Sequence, residues 1–153
     1  MLYDDLIQEA VQHGIDIYEE PLRPKIKGLY ADNIIWINRR IPTNAEKACI
    51  LAEELGHYHT NFGYITDQTK IVNRKQERRA RAWAYEKLVP LSKIVQAHHD
   101  YIINRFELAE FLGVTEEFLQ AAIDHYRAKY GRHTVVDKHI VCFDPLGVAE
   151  MFD

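Results

Sequence analysis

Cysteine is scarce: the chain has only Cys49 and Cys142 in 153 residues, far apart and outside any paired metal or redox spacing. A disulfide framework is therefore not expected, and in a reducing compartment both remain thiols. Long apolar runs are missing as well. No segment approaches the roughly 18 uninterrupted apolar residues of a membrane span. There is no low-complexity stretch, internal repeat or long Pro/Gly/Ser linker, so one domain over residues 1–153 is expected, large enough to bury roughly 68 to 70% of its unfolded surface. Nor is there an excess of positive charge. With 19 Lys and Arg against 23 Asp and Glu, the net charge of -4 argues against a chain whose main business is neutralising phosphates. The first residues, Met1-Leu2-Tyr3-Asp4-Asp5, lack the basic start and apolar middle of a signal peptide, so the cytoplasm is the expected location.

The composition that remains, 47% hydrophobic and 27% charged, is that of a soluble globular domain. Leu2, Leu6, Ile7, Ala10 and Val11 recur at helical spacing before Gly14, which predicts a first helix with a glycine stop. Ile15 to Tyr18 reads as a short strand. The apolar runs Gly28-Leu29-Tyr30-Ala31 and Ile34-Ile35-Trp36-Ile37 flank Asp32-Asn33, two residues that tolerate the left-handed backbone of a tight turn, and predict a β-hairpin. Thr43-Asn44-Ala45-Glu46 has the form of a capping box that starts the next helix. Further helices are expected over Arg74 to Val89, stopped by Pro90, from Leu91 towards His98-His99, from Phe106 to Leu112, and from Thr115 to Gly131. Val135-Val136 and Ile140 to Phe143 read as closing strands. The fold class that follows is α+β, mainly helical with a small antiparallel sheet.

The second of these helices carries the chemistry. It runs Ala48-Cys49-Ile50-Leu51-Ala52, apolar on nearly every face, and then presents Glu53, Glu54 and, after Leu55-Gly56, His57. A helix apolar all round is normally buried, and a buried carboxylate is costly unless paired, hydrogen-bonded or bound to a cation. Glu53 and His57 lie within about 40° of each other around the helix, so both can reach one ion, while Glu54 projects to the side. This is the geometry of His-Glu-x-x-His with glutamate in the first ligand position. Zinc peptidases of that class take two histidines and one carboxylate and use the intervening glutamate as general base. Glu77 is a candidate for the remaining ligand, because Glu77, Ala80, Ala84 and Leu88 form a narrow stripe whose small members allow close approach of two helices.

Taken together, Leu51-Ala52-Glu53-Glu54-Leu55-Gly56-His57-Tyr58-His59, Gln76-Glu77-x-x-Ala80-x-x-Trp83-Ala84 and Leu88-Val89-Pro90 resemble the ImmA/IrrE family of metallopeptidases. The resemblance extends to the preceding hairpin and to Glu107-Leu108-Ala109-Glu110-Phe111-Leu112-Gly113-Val114, and so covers most of the chain. Many members carry a full His-Glu-x-x-His; here Glu53 stands where the first histidine would be. The resemblance implies a zincin-like fold, metal ligands Glu53, His57 and Glu77, Glu54 as general base, and one zinc ion per chain. A Glu/His/Glu set is harder than His/His/Glu and should discriminate less well against manganese and similar ions. The implied reaction is hydrolysis of a peptide bond, with the strand Ile34 to Ile37 binding an extended substrate by strand addition. The implied partner is a helix-turn-helix repressor, cleaved to derepress a phage or mobile-element operon. No direct nucleic-acid or membrane partner is expected. The rival reading is a catalytically weak or inactive module that antagonises a partner by binding alone.

Other residues take plainer readings. On a continuous helix His59 points about 200° from His57, so it joins the site only if the helix ends near Gly56. His98-His99 reads as exposed loop after a helix, with a second metal site as the less favoured alternative, and His13, His125, His133 and His139 as surface or cap residues. Arg74, Lys75, Arg78, Arg79 and Arg81, interrupted by Glu77 and Glu86, form a solvated face. Trp36, Trp83 and Tyr85 belong to apolar patterns and read as core.

Overall fold

The computed structural model describes residues 1–60, 70–102 and 104–152. Two compact units make it up, Met1–Ala84 and Tyr85–Asp153, and the division falls within one helix. The class is α+β, with six helices and six strands among the described residues. None of these helices is long and apolar enough to cross a membrane.

The first unit opens with α1 (Leu2–Gln12), which buries Tyr3, Leu6 and Ala10 along one face. It ends as its glycine predicts: Gly14 takes a φ of +76°, and the Ile15 N–H turns back to the Ala10 carbonyl at 2.9 Å. Strands β1 (Asp16–Glu20), β2 (Gly28–Ala31) and β3 (Ile34–Asn38) form a sheet in the order β1-β3-β2. The β2/β3 hairpin turns on Asp32 (φ 49°) and Asn33 (φ 64°), both left-handed, which matches the right-handed twist of its strands. β1 runs parallel to β3, so this sheet is mixed, whereas an antiparallel one was expected. A second expectation fails here for the same topological reason. β3 was expected to accept an extended substrate, yet its two ladders are already occupied by β1 and β2, which leaves it no free edge.

At the end of β3, Asn38 is 3% exposed and organises the preceding loop. Its amide donates to the carbonyls of Ile26 (2.8 Å), Arg23 (3.3 Å) and Leu22 (3.4 Å), and its oxygen accepts from the N–H groups of Leu22 and Arg40. Helix α2 (Asn44–Thr60) then packs on this sheet. Thr43 caps it by accepting from the Glu46 N–H at 3.2 Å, while the Glu46 carboxylate faces Lys27 at 3.6 Å. The apolar run is buried as expected, Ala48, Cys49, Ile50, Leu51 and Ala52 together with Leu55 and Gly56. With Ile15, Ile35 and Ile37 they form the core of this unit.

Helix α3 (Lys70–Leu88) starts one turn before the expected Arg74. In the second unit follow α4 (Leu91–His99), α5 (Arg105–Leu112) and α6 (Glu116–Tyr130). Asn104 and Thr115 cap the last two by accepting from the N–H groups of Glu107 and Phe118, and Gly113 ends α5 in the left-handed conformation. The Tyr126 hydroxyl donates to the Val89 carbonyl at 2.8 Å, and Glu86 is held by His125 and Lys129, each at 3.0 Å. His125, read as a surface or cap residue, thus belongs to a hydrogen-bonded cluster with Glu86 and Lys129. Strands β4 (His133–Val136), β5 (His139–Phe143) and β6 (Leu146–Glu150) form an antiparallel sheet in sequence order. β6 was not expected. Its Leu-Gly-Val-Ala-Glu sequence carries a glycine in second position and little apolar alternation, and pairing with β5 decides its conformation.

Candidate active site

The site is built where α2 leaves its apolar stretch. Leu55 and Gly56 remain buried, while Glu53, Glu54 and His57 are half-buried around them. Gly56 is required at its position: a Cβ there would lie 2.3 Å from the backbone oxygen of Ala80 on α3. Two backbones this close admit no side chain at the crossing, and Ala80 itself is fully buried. The consequence appears one residue along, where His57 Nε2 lies 3.1 Å from Glu77 Oε1. The His57 side chain is 18% exposed and that of Glu77 51%, so the pair sits at the rim rather than in the core. On the outer side Arg81 Nε approaches Glu77 Oε2 at 4.0 Å, one helical turn away.

Glu53 and Glu54 enter through charge. Among the described residues neither carboxylate has a hydrogen-bonded or ion-paired partner. Burial pushes the Glu53 carboxyl above the usual range; Arg81 and Lys27 pull it back in part, and Glu77 adds to the rise. Glu54 is pushed up to about 7, first by burial and then by the neighbouring charges of Glu53 and Glu77. The first residue of β2 closes over it. A Cβ on Gly28 would lie 3.3 Å from Glu54 Oε1 and 2.8 Å from Ile50, so the bare backbone of this strand is what leaves the Glu54 carboxyl its space. In the sequence Gly28 was read only as part of a strand and Arg81 only as part of a solvated face, and Lys27 was not singled out. A glycine at a strand start is a signal of close approach, and Arg81 stands four residues after Glu77, so two of the three had a readable mark.

The arrangement therefore unites His57 and Glu77 by direct contact and sets Glu53 and Glu54 within electrostatic reach of Glu77. A histidine nitrogen and three carboxylates, two of them half-buried and held above their usual range first by burial, are donors whose charge a divalent cation would neutralise. Mixed N/O donors of this kind suit zinc or manganese by type, but Glu53 does not join His57 and Glu77 with one ligand atom each within 4.8 Å of one another. His59 stands apart. Because α2 continues unbroken through Thr60, His59 turns away and stacks on Trp83, with ring centroids 4.6 Å apart. There it joins Glu9 and His13, and the three bring one ligand atom each within 4.8 Å of one another. That grouping links α1 to α2 and has no sequence spacing to announce it.

No curated protein and no solved structure matches the chain. The family model described as the IrrE N-terminal-like domain, Peptidase M78, matches residues 10–124, a span that contains the β1–β3 sheet, α2 and α3. Its peptidase designation is metallopeptidase-like in character and suggests a divalent metal. With three quarters of its length covered by that match and with Glu53, Glu54, His57 and Glu77 inside it, the chain belongs to the ImmA/IrrE family.

Proposed function

We propose that this chain is a zinc-dependent endopeptidase with a zincin-like catalytic unit, and that it cleaves a helix-turn-helix repressor to derepress a phage or mobile-element operon. The observation that supports it most is the His57–Glu77 contact at 3.1 Å, delivered by the Gly56/Ala80 crossing beside Glu53 and Glu54. Glu53, His57 and Glu77 would hold the ion. When bound, zinc supplies a Lewis acid for the scissile carbonyl and a lowered pKa for water. Glu54 takes the proton of the attacking water and returns it to the leaving amine. An extended substrate would add to the outer edge of β2, the strand whose Gly28 faces Glu54, in place of β3. The repressor as substrate follows from the family resemblance.

The test takes any helix-turn-helix protein encoded beside this gene and follows its cleavage with zinc supplied. Wild type should give defined fragments. Glu54→Gln should keep its zinc and lose about two to four orders of magnitude in rate, the usual worth of a general base. Cleavage at the wild-type rate by Glu54→Gln would remove Glu54 from that role. One residue favours the second reading, antagonism by binding alone: Glu53 in the place of the first histidine. Its signature is a repressor released from its operator yet left intact by zinc-loaded wild type.

A further inference from the structure

Two imidazoles meet at the end of α4. His99 is the last residue of that helix, and its Nε2 lies 3.0 Å from Nε2 of His139 in β5. The rings stand edge to face, with centroids 5.0 Å apart and planes at 86°. Glu150 in β6 is the cross-strand partner of His139, and its Oε1 lies 3.7 Å from Nδ1 of His99. The three residues bring one ligand atom each within 4.8 Å of one another. They come from three separate elements of the second unit, so the fold and not local sequence assembles them.

Facing ring nitrogens at this distance are constrained. Two neutral imidazoles must take opposite tautomers so that one N–H can donate to the other's lone pair, and two protonated rings repel. A cation that accepts both lone pairs removes the constraint. Tetrahedral zinc, with Zn–N bonds of about 2.0 to 2.1 Å, sets two nitrogen ligands about 3.3 Å apart, so the pair is within about 0.3 Å of that separation. The position is electrostatically suited as well, because the carbonyl end of α4 carries the negative end of the helix dipole and Glu150 adds a full charge. Beside the cluster lies a cavity of about 360 Å³ lined by His98, His99, Tyr101, Ile102 and Glu150, with room for water to complete a coordination shell. Two nitrogens and one carboxylate oxygen select ions of the zinc class over calcium or magnesium, which take oxygen sets.

We propose that His99, His139 and Glu150 form a second metal site, for a divalent ion of the zinc class, that ties the end of α4 to the β5/β6 hairpin. This site is independent of the Glu53/His57/Glu77 set, and neither stands or falls with the other. The experiment is a zinc titration of the untagged full chain followed by imidazole ¹⁵N NMR, with bound zinc counted in parallel. The Nε2 signals of His99 and His139 should shift together along one saturating binding curve that accounts for one of the zinc ions bound per chain. In His139→Ala the His99 shift should vanish and the chain should bind one equivalent less than wild type. His99→Gln, at an exposed helix end, serves as the second variant and should lose the same equivalent. Glu150→Gln should weaken it by about tenfold or more, as expected when a carboxylate leaves a metal site. Signals that stay in place while zinc binds elsewhere, with unchanged stoichiometry in both histidine variants, would reduce the pair to an imidazole hydrogen bond and overturn the proposal.

Discussion

Asn38 shows how much one side chain can organise. Its buried side chain makes five hydrogen bonds, three donated and two accepted, all with backbone groups that no strand partner satisfies in the loop before β2 or just after β3. Asn38→Ala removes them together and leaves several of those groups unpaired, so we expect a loss on the order of 2 kcal/mol, read as a lower denaturation midpoint. Glu19 offers a test with pH. The Tyr3 hydroxyl donates to it at 2.7 Å and Lys47 lies at 3.0 Å, and these bonds hold its carboxyl below the usual range, the Tyr3 bond most strongly, against the opposing effect of burial. A carboxyl whose folded-state pKa is depressed contributes stability above its unfolded pKa of about 4.3 and loses it as the pH falls through the folded value. Glu19→Gln should therefore lower stability at pH 7, and the gap to wild type should close as acid denaturation is followed from about pH 5 towards pH 3. A gap independent of pH would place the effect in packing.

The crossing of α2 and α3 is the element-scale feature on which the candidate site depends. Gly56 admits the Ala80 backbone, and His57 next to it meets Glu77 because the helices are in contact there. Gly56→Ala would press a methyl carbon into that backbone, forcing the helices apart. The expected cost is about 1 to 3 kcal/mol of stability, with zinc affinity falling by more than Ala substitutions on the solvent face of α2 produce. Equilibrium denaturation and a zinc competition assay measure the two effects. The stripe Glu77, Ala80, Ala84 and Leu88 was legible because 3.6-residue periodicity is a local property of sequence, and Ala80, Ala84 and Leu88 are indeed fully or almost fully buried. The β3 strand was legible as a strand and not as the middle one. Its neighbour β1 pairs in parallel through a connection that spacing cannot reveal.

Metal should couple these local features to the stability of the whole molecule. A ligand that binds the folded chain and not the unfolded one stabilises by about 2.7 kcal/mol at one hundred times its dissociation constant. Zinc-loaded protein should therefore melt above chelated protein, and the difference should shrink in His57→Ala and again when His99→Gln is added; calorimetry with matched free zinc follows both steps. What the sequence determined unaided were properties of short range. Helix periods, the Asp32-Asn33 turn, the glycine stops and the Glu-Glu-x-x-His spacing on one helix each depend on residues within a few turns of one another, while the ImmA/IrrE family was reached by the resemblance of segments 51–59 and 76–90 to its members. The tertiary structure alone decided which chain segments meet. It closed Gly56 on Ala80, enclosed β3 between β1 and β2, added β6, and gathered His99, His139 and Glu150 from a helix and two strands. The physical reason is that such contacts are settled by packing and strand register across long stretches of chain, where each residue's own preference is weak beside the burial of its whole element.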